Sequence, residues 1–120
     1  MIMETLFSTT LGMMLFLCFA NLLLITLALP MITRQLKPNR WYGFRARKAL
    51  SDERIWYEIN AYAGWRQLGV GIINILTLVG LFFIPGLRGD LDLYTMISVL
   101  VCCTGIIWNN ISSTNYLRSL

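Results

Sequence analysis

With 120 residues, 57% of them hydrophobic and 13% charged, the chain is at most one domain and too apolar for an ordinary soluble one. Its formal charge is +4, and it contains no histidine, which removes the commonest general base and metal ligand.

Three runs carry no charged residue: Thr5–Thr33, Gln67–Leu87 and Leu93–Leu117. A helix rises about 1.5 Å per residue, so each run is long enough to cross a hydrocarbon core of about 30 Å. The pattern predicts an all-α membrane protein with three transmembrane helices. The expected spans are about 6–32, 66–86 and 93–115 within a single membrane domain, 1–120. A polar segment, 34–65, joins the first two.

The first run lacks the positive n-region of a signal peptide. Its earliest charge is Glu4 and its apolar stretch is too long for an h-region, so it is expected to be a retained span. Cys18, Cys102 and Cys103 all fall inside apolar runs without metal-ligand spacing and read as packing residues.

Pro30 lies near the end of the first run, and Pro38 bars the helix from continuing far beyond it. Asn39–Lys48 then reads as a basic, turn-rich loop. Within it Gly43 stands between aromatic residues, where a side chain would not fit or φ is positive. A helix is expected to begin at Ser51 as N-cap, with Asp52 and Glu53 in its first turn. Ile55, Ile59, Tyr62 and Ala63 recur at helical spacing, and Glu58 is placed to pair with Arg54. This reads as a short amphipathic cytoplasmic helix lying along the membrane surface before the second span.

On that helix Trp56, Asn60 and Gly64 are spaced by four and share a face. Trp supplies area, Asn a hydrogen-bonding head, and Gly room for another backbone. The stripe is a docking surface for the Asn39–Arg45 loop, the spans or a ligand. Arg45 is expected either to bridge to Glu58 or Glu53, or to bind a lipid phosphate. An aromatic belt at headgroup level explains about half of the Trp and Tyr residues gathered here.

Within the spans, Asn21, Asn74, Asn109 and Asn110 are polar side chains at depth, which normally face other helices. Asn74 and Asn109 are each roughly 12–14 Å from the flanking charges by helix rise. They are expected to meet across the bundle, with Asn21 higher. Gly64, Gly69, Gly71 and Gly80 thin the second span for close packing.

From Arg34 to Arg66 eight basic residues face three acidic ones, a net of +5, whereas Arg88–Asp92 carries a net of −1. The excess of Lys and Arg predicts a cytoplasmic 34–65 segment, an outside N-terminus and a cytoplasmic C-terminus. The positive charge thus reflects topology and anionic membrane lipids, with no nucleic-acid partner.

Asn39, Gly43, Phe44, Arg45, Trp56, Asn60 and Gly64 together resemble the motif of the SdpI family of small bacterial membrane proteins. That motif has the form N-x-x-x-G-[aromatic/aliphatic]-R, then a Trp, an Asn four later and a Gly four after that. The resemblance covers Lys37 to Trp65. It departs at Ala46, where the family often has Thr, and at Ala49, where Ser is common. It implies a bacterial plasma-membrane protein that gives immunity to a secreted antibacterial toxin. The family's best-known member also holds a repressor at the membrane, a role that need not extend to this chain.

A toxin-immunity protein acting on a peptide toxin or its target is therefore the leading expectation. A small accessory subunit of a larger membrane complex, a homo-oligomer, or a lipid-binding protein are the alternatives. No nucleophile–base pair or phosphate loop is present, and no carboxylate falls inside a span, so neither an enzyme nor a cofactor is expected.

Overall fold

The computed structural model describes residues 1–120 and contains three long helices with two short connecting ones. Helix α1 is Ile2–Ile32, α2 Arg47–Ser51, α3 Glu53–Phe82, α4 Pro85–Arg88 and α5 Leu91–Ser119. The three long helices are each long and apolar enough to cross a membrane. The body measures 59 × 23 × 19 Å, about twice as long as a hydrocarbon core is thick. The body therefore extends beyond the hydrocarbon. Only 22 of 120 residues are buried. Most of the remaining apolar side chains face outward, as they do when lipid completes the packing. The protein is a multi-pass membrane protein.

Each long helix ends for a local reason. At the end of α1 the Gln35 N–H donates to the Pro30 carbonyl (2.9 Å) and the Arg34 N–H to that of Met31 (3.4 Å). These two bonds make a Schellman turn, which requires a left-handed residue after the cap. Arg34 fills that position at φ +59°. The helix thus stops well before Pro38. Asp52 caps α3 by accepting the Arg54 N–H at 2.9 Å, so the cap is Asp52 rather than the expected Ser51. Asp90 caps α5 by accepting from the Leu93 N–H at 3.0 Å. Pro85 opens α4, where its missing N–H costs nothing.

The stretch expected as a separate surface helix is instead the first turns of α3, continuous with the second span. No glycine or proline lies between Glu53 and Ala63 to break it, and Gly64 is used for packing. The short helix that does stand apart is α2, anchored by the fully buried Ala49.

Helix α3 is the centre of the molecule. α1 and α5 both pack on it and meet one another only sparsely. Two apolar clusters hold the ends. Met14, Leu78, Phe82, Leu87 and Tyr94 close the end near α4, where the Tyr94 hydroxyl donates to the Leu78 carbonyl at 2.8 Å. Ala49, Ile55, Trp56, Ile59 and Leu117 close the basic end.

Close approach of α1 to α3 is set at Gly64. A Cβ there would lie 2.9 Å from Met31 Cβ and 3.1 Å from the Ala28 carbonyl oxygen. Gly71 faces Ile25 in the same interface, whereas Gly69 and Gly80 face open space and thin no contact. Gly64→Leu should therefore push α1 away and cost about 1–3 kcal/mol. Gly69→Ala should stabilise by about 0.5–1 kcal/mol through helix propensity alone. Thermal melts of both variants in mild detergent check the contrast.

Candidate functional site

Loop 33–46 folds back on the first turns of α3, and two side chains fix it there. Trp56 and Asn60 are 0% and 1% exposed. Trp56 Nε1 donates to the Leu36 carbonyl at 2.8 Å. Asn60 Oδ1 accepts the Phe44 N–H at 2.7 Å. Asn60 Nδ2 donates to the Trp56 carbonyl at 3.0 Å and to the Phe44 carbonyl at 3.4 Å. One amide side chain thus satisfies both peptide groups of Phe44, as a neighbouring strand would.

Gly43 makes this approach possible. Its φ is +105°, and a Cβ there would lie 2.7 Å from Asn60 Oδ1 and 3.4 Å from Trp56 Cη2. Both the backbone conformation and the space exclude a side chain. Asn39 shapes the loop from within: its Oδ1 accepts the Trp41 and Tyr42 N–H groups at 2.8 and 2.9 Å. Its Nδ2 donates to the Lys37 carbonyl at 2.8 Å. This is an Asx turn.

Arg45 Nη1 donates to the Arg40 carbonyl at 2.6 Å, and the side chain is exposed. It bridges to neither expected carboxylate, because Glu58 pairs with Arg34 at 3.0 Å. That pair, with side chains 49% and 39% exposed, is a surface contact of little energetic weight. The three stripe residues also divide their work. Trp56 and Asn60 hold the loop, while Gly64 receives α1.

The aromatic residues of this region divide in the same way. Trp41 and Trp65 are exposed, at 87% and 61%, as an interfacial belt requires. Tyr62 instead stacks on Tyr116 with centroids 4.2 Å apart. The Arg66 guanidinium lies 3.7 Å from the Trp108 ring centroid and 5.4 Å from that of Tyr62, so a cation is held against ring faces.

The intramembrane amides pair differently from expectation. Asn74 Nδ2 donates to Asn21 Oδ1 at 3.1 Å, not to Asn109. Asn21 Nδ2 in turn donates to the Leu17 carbonyl at 2.9 Å. Asn109 accepts from the Ser113 hydroxyl at 3.1 Å and reaches the Ala63 carbonyl at 3.5 Å. Counting from flanking charges assumed that both helices enter the membrane at one level. In fact Arg66 lies level with Trp108, nearly three turns inward of Arg118, and Asn74 faces Gly105, one turn from Asn109.

Beside the buried residues runs a groove of about 490 Å³ lined by Arg40, Gly43, Phe44, Arg45, Leu50 and Asn110. It shares Gly43, Phe44 and Asn110 with a cavity of about 210 Å³ that also reaches Leu24, Leu27, Gln67 and Asn109. A recess of about 150 Å³ continues from there to Asn21. Together they form a cleft between α1 and α5 that opens at the basic loop. Sequence reading had placed Gln67 merely at the start of a span and did not connect Asn110 with the arginines. A lone amide in an apolar run was the available signal. No group of three His, Cys, Asp or Glu side chains is placed to hold a metal ion.

A family model described as the SdpI/YfhL protein family matches residues 35–109, which is more than half of the chain and includes Asn39, Gly43, Arg45, Trp56, Asn60 and Gly64. The chain belongs to the SdpI/YfhL family. No curated protein and no solved structure matches it. In this SdpI/YfhL protein, the motif residues Trp56, Asn60 and Gly64 are buried, joining the loop and α1 to α3, while Arg45 is exposed.

Two outcomes follow. Asn60→Leu leaves both peptide groups of Phe44 unpaired and should cost about 3 kcal/mol. Arg45→Ala removes one exposed bond and should cost about 1 kcal/mol. Melting in detergent measures the first contrast, and faster tryptic cleavage after Arg40 in the Asn60 variant localises it. For the intramembrane pair, a double-mutant cycle with Asn21→Ala and Asn74→Ala should show a coupling of about 0.6 kcal/mol.

Proposed function

We propose that this protein protects a bacterial plasma membrane from an antibacterial peptide toxin, by binding either the toxin or what the toxin requires there. In this reading it is not an enzyme and uses no cofactor. The membership of the SdpI/YfhL family, over residues 35–109, is the observation that carries the proposal. The proposed orientation puts the basic 34–65 segment and the C-terminus in the cytoplasm and the N-terminus outside, following the excess of Lys and Arg.

The structure bears on how such protection would act. Trp56, Asn60 and Gly64 are buried, so they do not themselves touch a toxin. They make a rigid basic end on which exposed surfaces are mounted. Toxin or target would meet those surfaces, namely the outward faces of the spans and the cleft between α1 and α5.

Expression in a toxin-sensitive strain tests the proposal. The intact protein should raise survival. Gly43→Val should abolish protection together with the folded protein level in the membrane, because it fills the space that Asn60 occupies. Absence of protection from intact protein that is folded and membrane-inserted would refute the reading. Stable copurification with one endogenous membrane complex, without protection, would favour an accessory subunit instead.

A further inference from the structure

The cleft between α1 and α5 has three walls of different chemistry. Its mouth carries two guanidinium groups, Arg40 and Arg45, and no carboxylate lines it. Its middle carries the amides of Gln67, Asn109 and Asn110, and its α1 side is apolar, with Leu24 and Leu27. We propose that this cleft binds one anionic phospholipid drawn from the surrounding bilayer. The phosphate sits between Arg40 and Arg45, the ester groups lie against the amides, and an acyl chain follows α1.

The binding capacity of each wall is visible in what the fold leaves unused. The Arg40 side chain makes no hydrogen bond or ion pair within the protein; only its carbonyl is engaged, by Arg45. Arg45 spends one N–H on that carbonyl and keeps the rest of a five-donor guanidinium. Two such forks at one opening match a phosphate. Neither forms an ion pair with a carboxylate, and Glu58 is paired with Arg34.

Asn110 supplies an independent argument. Its side chain is exposed on a membrane-spanning helix and has no hydrogen-bond partner in the chain. An amide facing hydrocarbon without a partner is costly. It lines the same groove as the arginines, so an ester oxygen of a lipid held there by its phosphate would partner it. Gln67 donates one N–H to the Leu24 carbonyl at 2.6 Å and retains a second N–H and its carbonyl oxygen.

A soluble phosphate would leave the apolar wall unfilled, and a zwitterionic lipid would bring a cation of its own against two arginines. The open groove at the opposite end is lined by Glu4 and Arg88 among others. With one charge of each sign it has no such preference. This lipid site does not depend on the immunity reading.

The test is native mass spectrometry of the intact protein released from detergent with phosphatidylglycerol or phosphatidylcholine. Phosphatidylglycerol should be retained in preference, and it alone should raise the melting temperature. Arg40→Gln should reduce that retention about tenfold, the loss of one charge-assisted hydrogen-bonding group, and Asn110→Leu should reduce it as well. Both positions are exposed with unbonded side chains, so an unchanged melting temperature without lipid confirms intact folding. Lys37→Gln removes the same charge outside the groove and should leave retention within about twofold. The proposal is overturned by equal retention of the two lipids, by equal effects of Lys37→Gln and Arg40→Gln, or by displacement of phosphatidylglycerol with millimolar inorganic phosphate.

Discussion

The structure turns on one side chain. Asn60 takes both peptide groups of Phe44 while also holding the carbonyl of its own helix one turn back. An irregular loop beside a membrane has few ways to satisfy its backbone polar groups when water is partly excluded. A helix offers no free backbone groups in its interior, so a side chain must act as the partner. Asparagine is suited to this because its amide carries an acceptor and two donors in one plane. Leucine at this position would supply volume but no pairing. Gly43 follows from that choice, since a Cβ would occupy the place of the Asn60 oxygen. Trp56 follows as well, since its ring covers the same glycine while its N–H fixes Leu36.

The same rule explains the rest of the polar residues in the spans. Hydrophobic association is weak between helices already solvated by lipid, so contact rests on close packing and on hydrogen bonds. Gly64 allows the backbone of α1 to come near α3. The Asn21–Asn74 pair ties the same two helices farther along. On the other flank α5 is held by Tyr94 at one end and by the Tyr62–Tyr116 stack at the other. Because both α1 and α5 spend their contacts on α3, little is left to join them to each other. The cleft is a consequence of that arrangement.

Much of this was legible in the sequence, for physical reasons that can be named. Charge-free runs longer than the membrane is thick leave few alternatives to spans. The i, i+4 spacing of Trp56, Asn60 and Gly64 put them on one face whether or not the helix was separate. Gly43 between aromatics indicated a place for backbone rather than side chain. What was not legible depended on the relative level of the helices. Composition does not report that Arg66 lies level with Trp108 rather than with Arg118, so Asn74 was matched with Asn109 rather than Asn21. Local spacing put Glu58 with Arg54, and residue chemistry offered it Arg45. It instead reaches Arg34, because the Schellman turn after α1 carries that side chain back towards α3. Gln67 and Asn110 looked like interruptions of apolar runs, and only their positions around one opening give them a shared meaning.

Burial of the motif also changes what the family resemblance can carry. A motif on an exposed surface would report a shared ligand. Here Asn39, Gly43, Trp56, Asn60 and Gly64 report a shared shape, because each is consumed by contacts inside the chain. Arg45 is the exception among them, exposed and lining the groove mouth with one N–H spent on the loop. It is the point at which the internal architecture meets an external surface. Specificity among proteins built this way therefore has to reside in residues outside the motif that line the same opening. In this chain those are Arg40, Gln67 and Asn110, which the motif positions but does not prescribe.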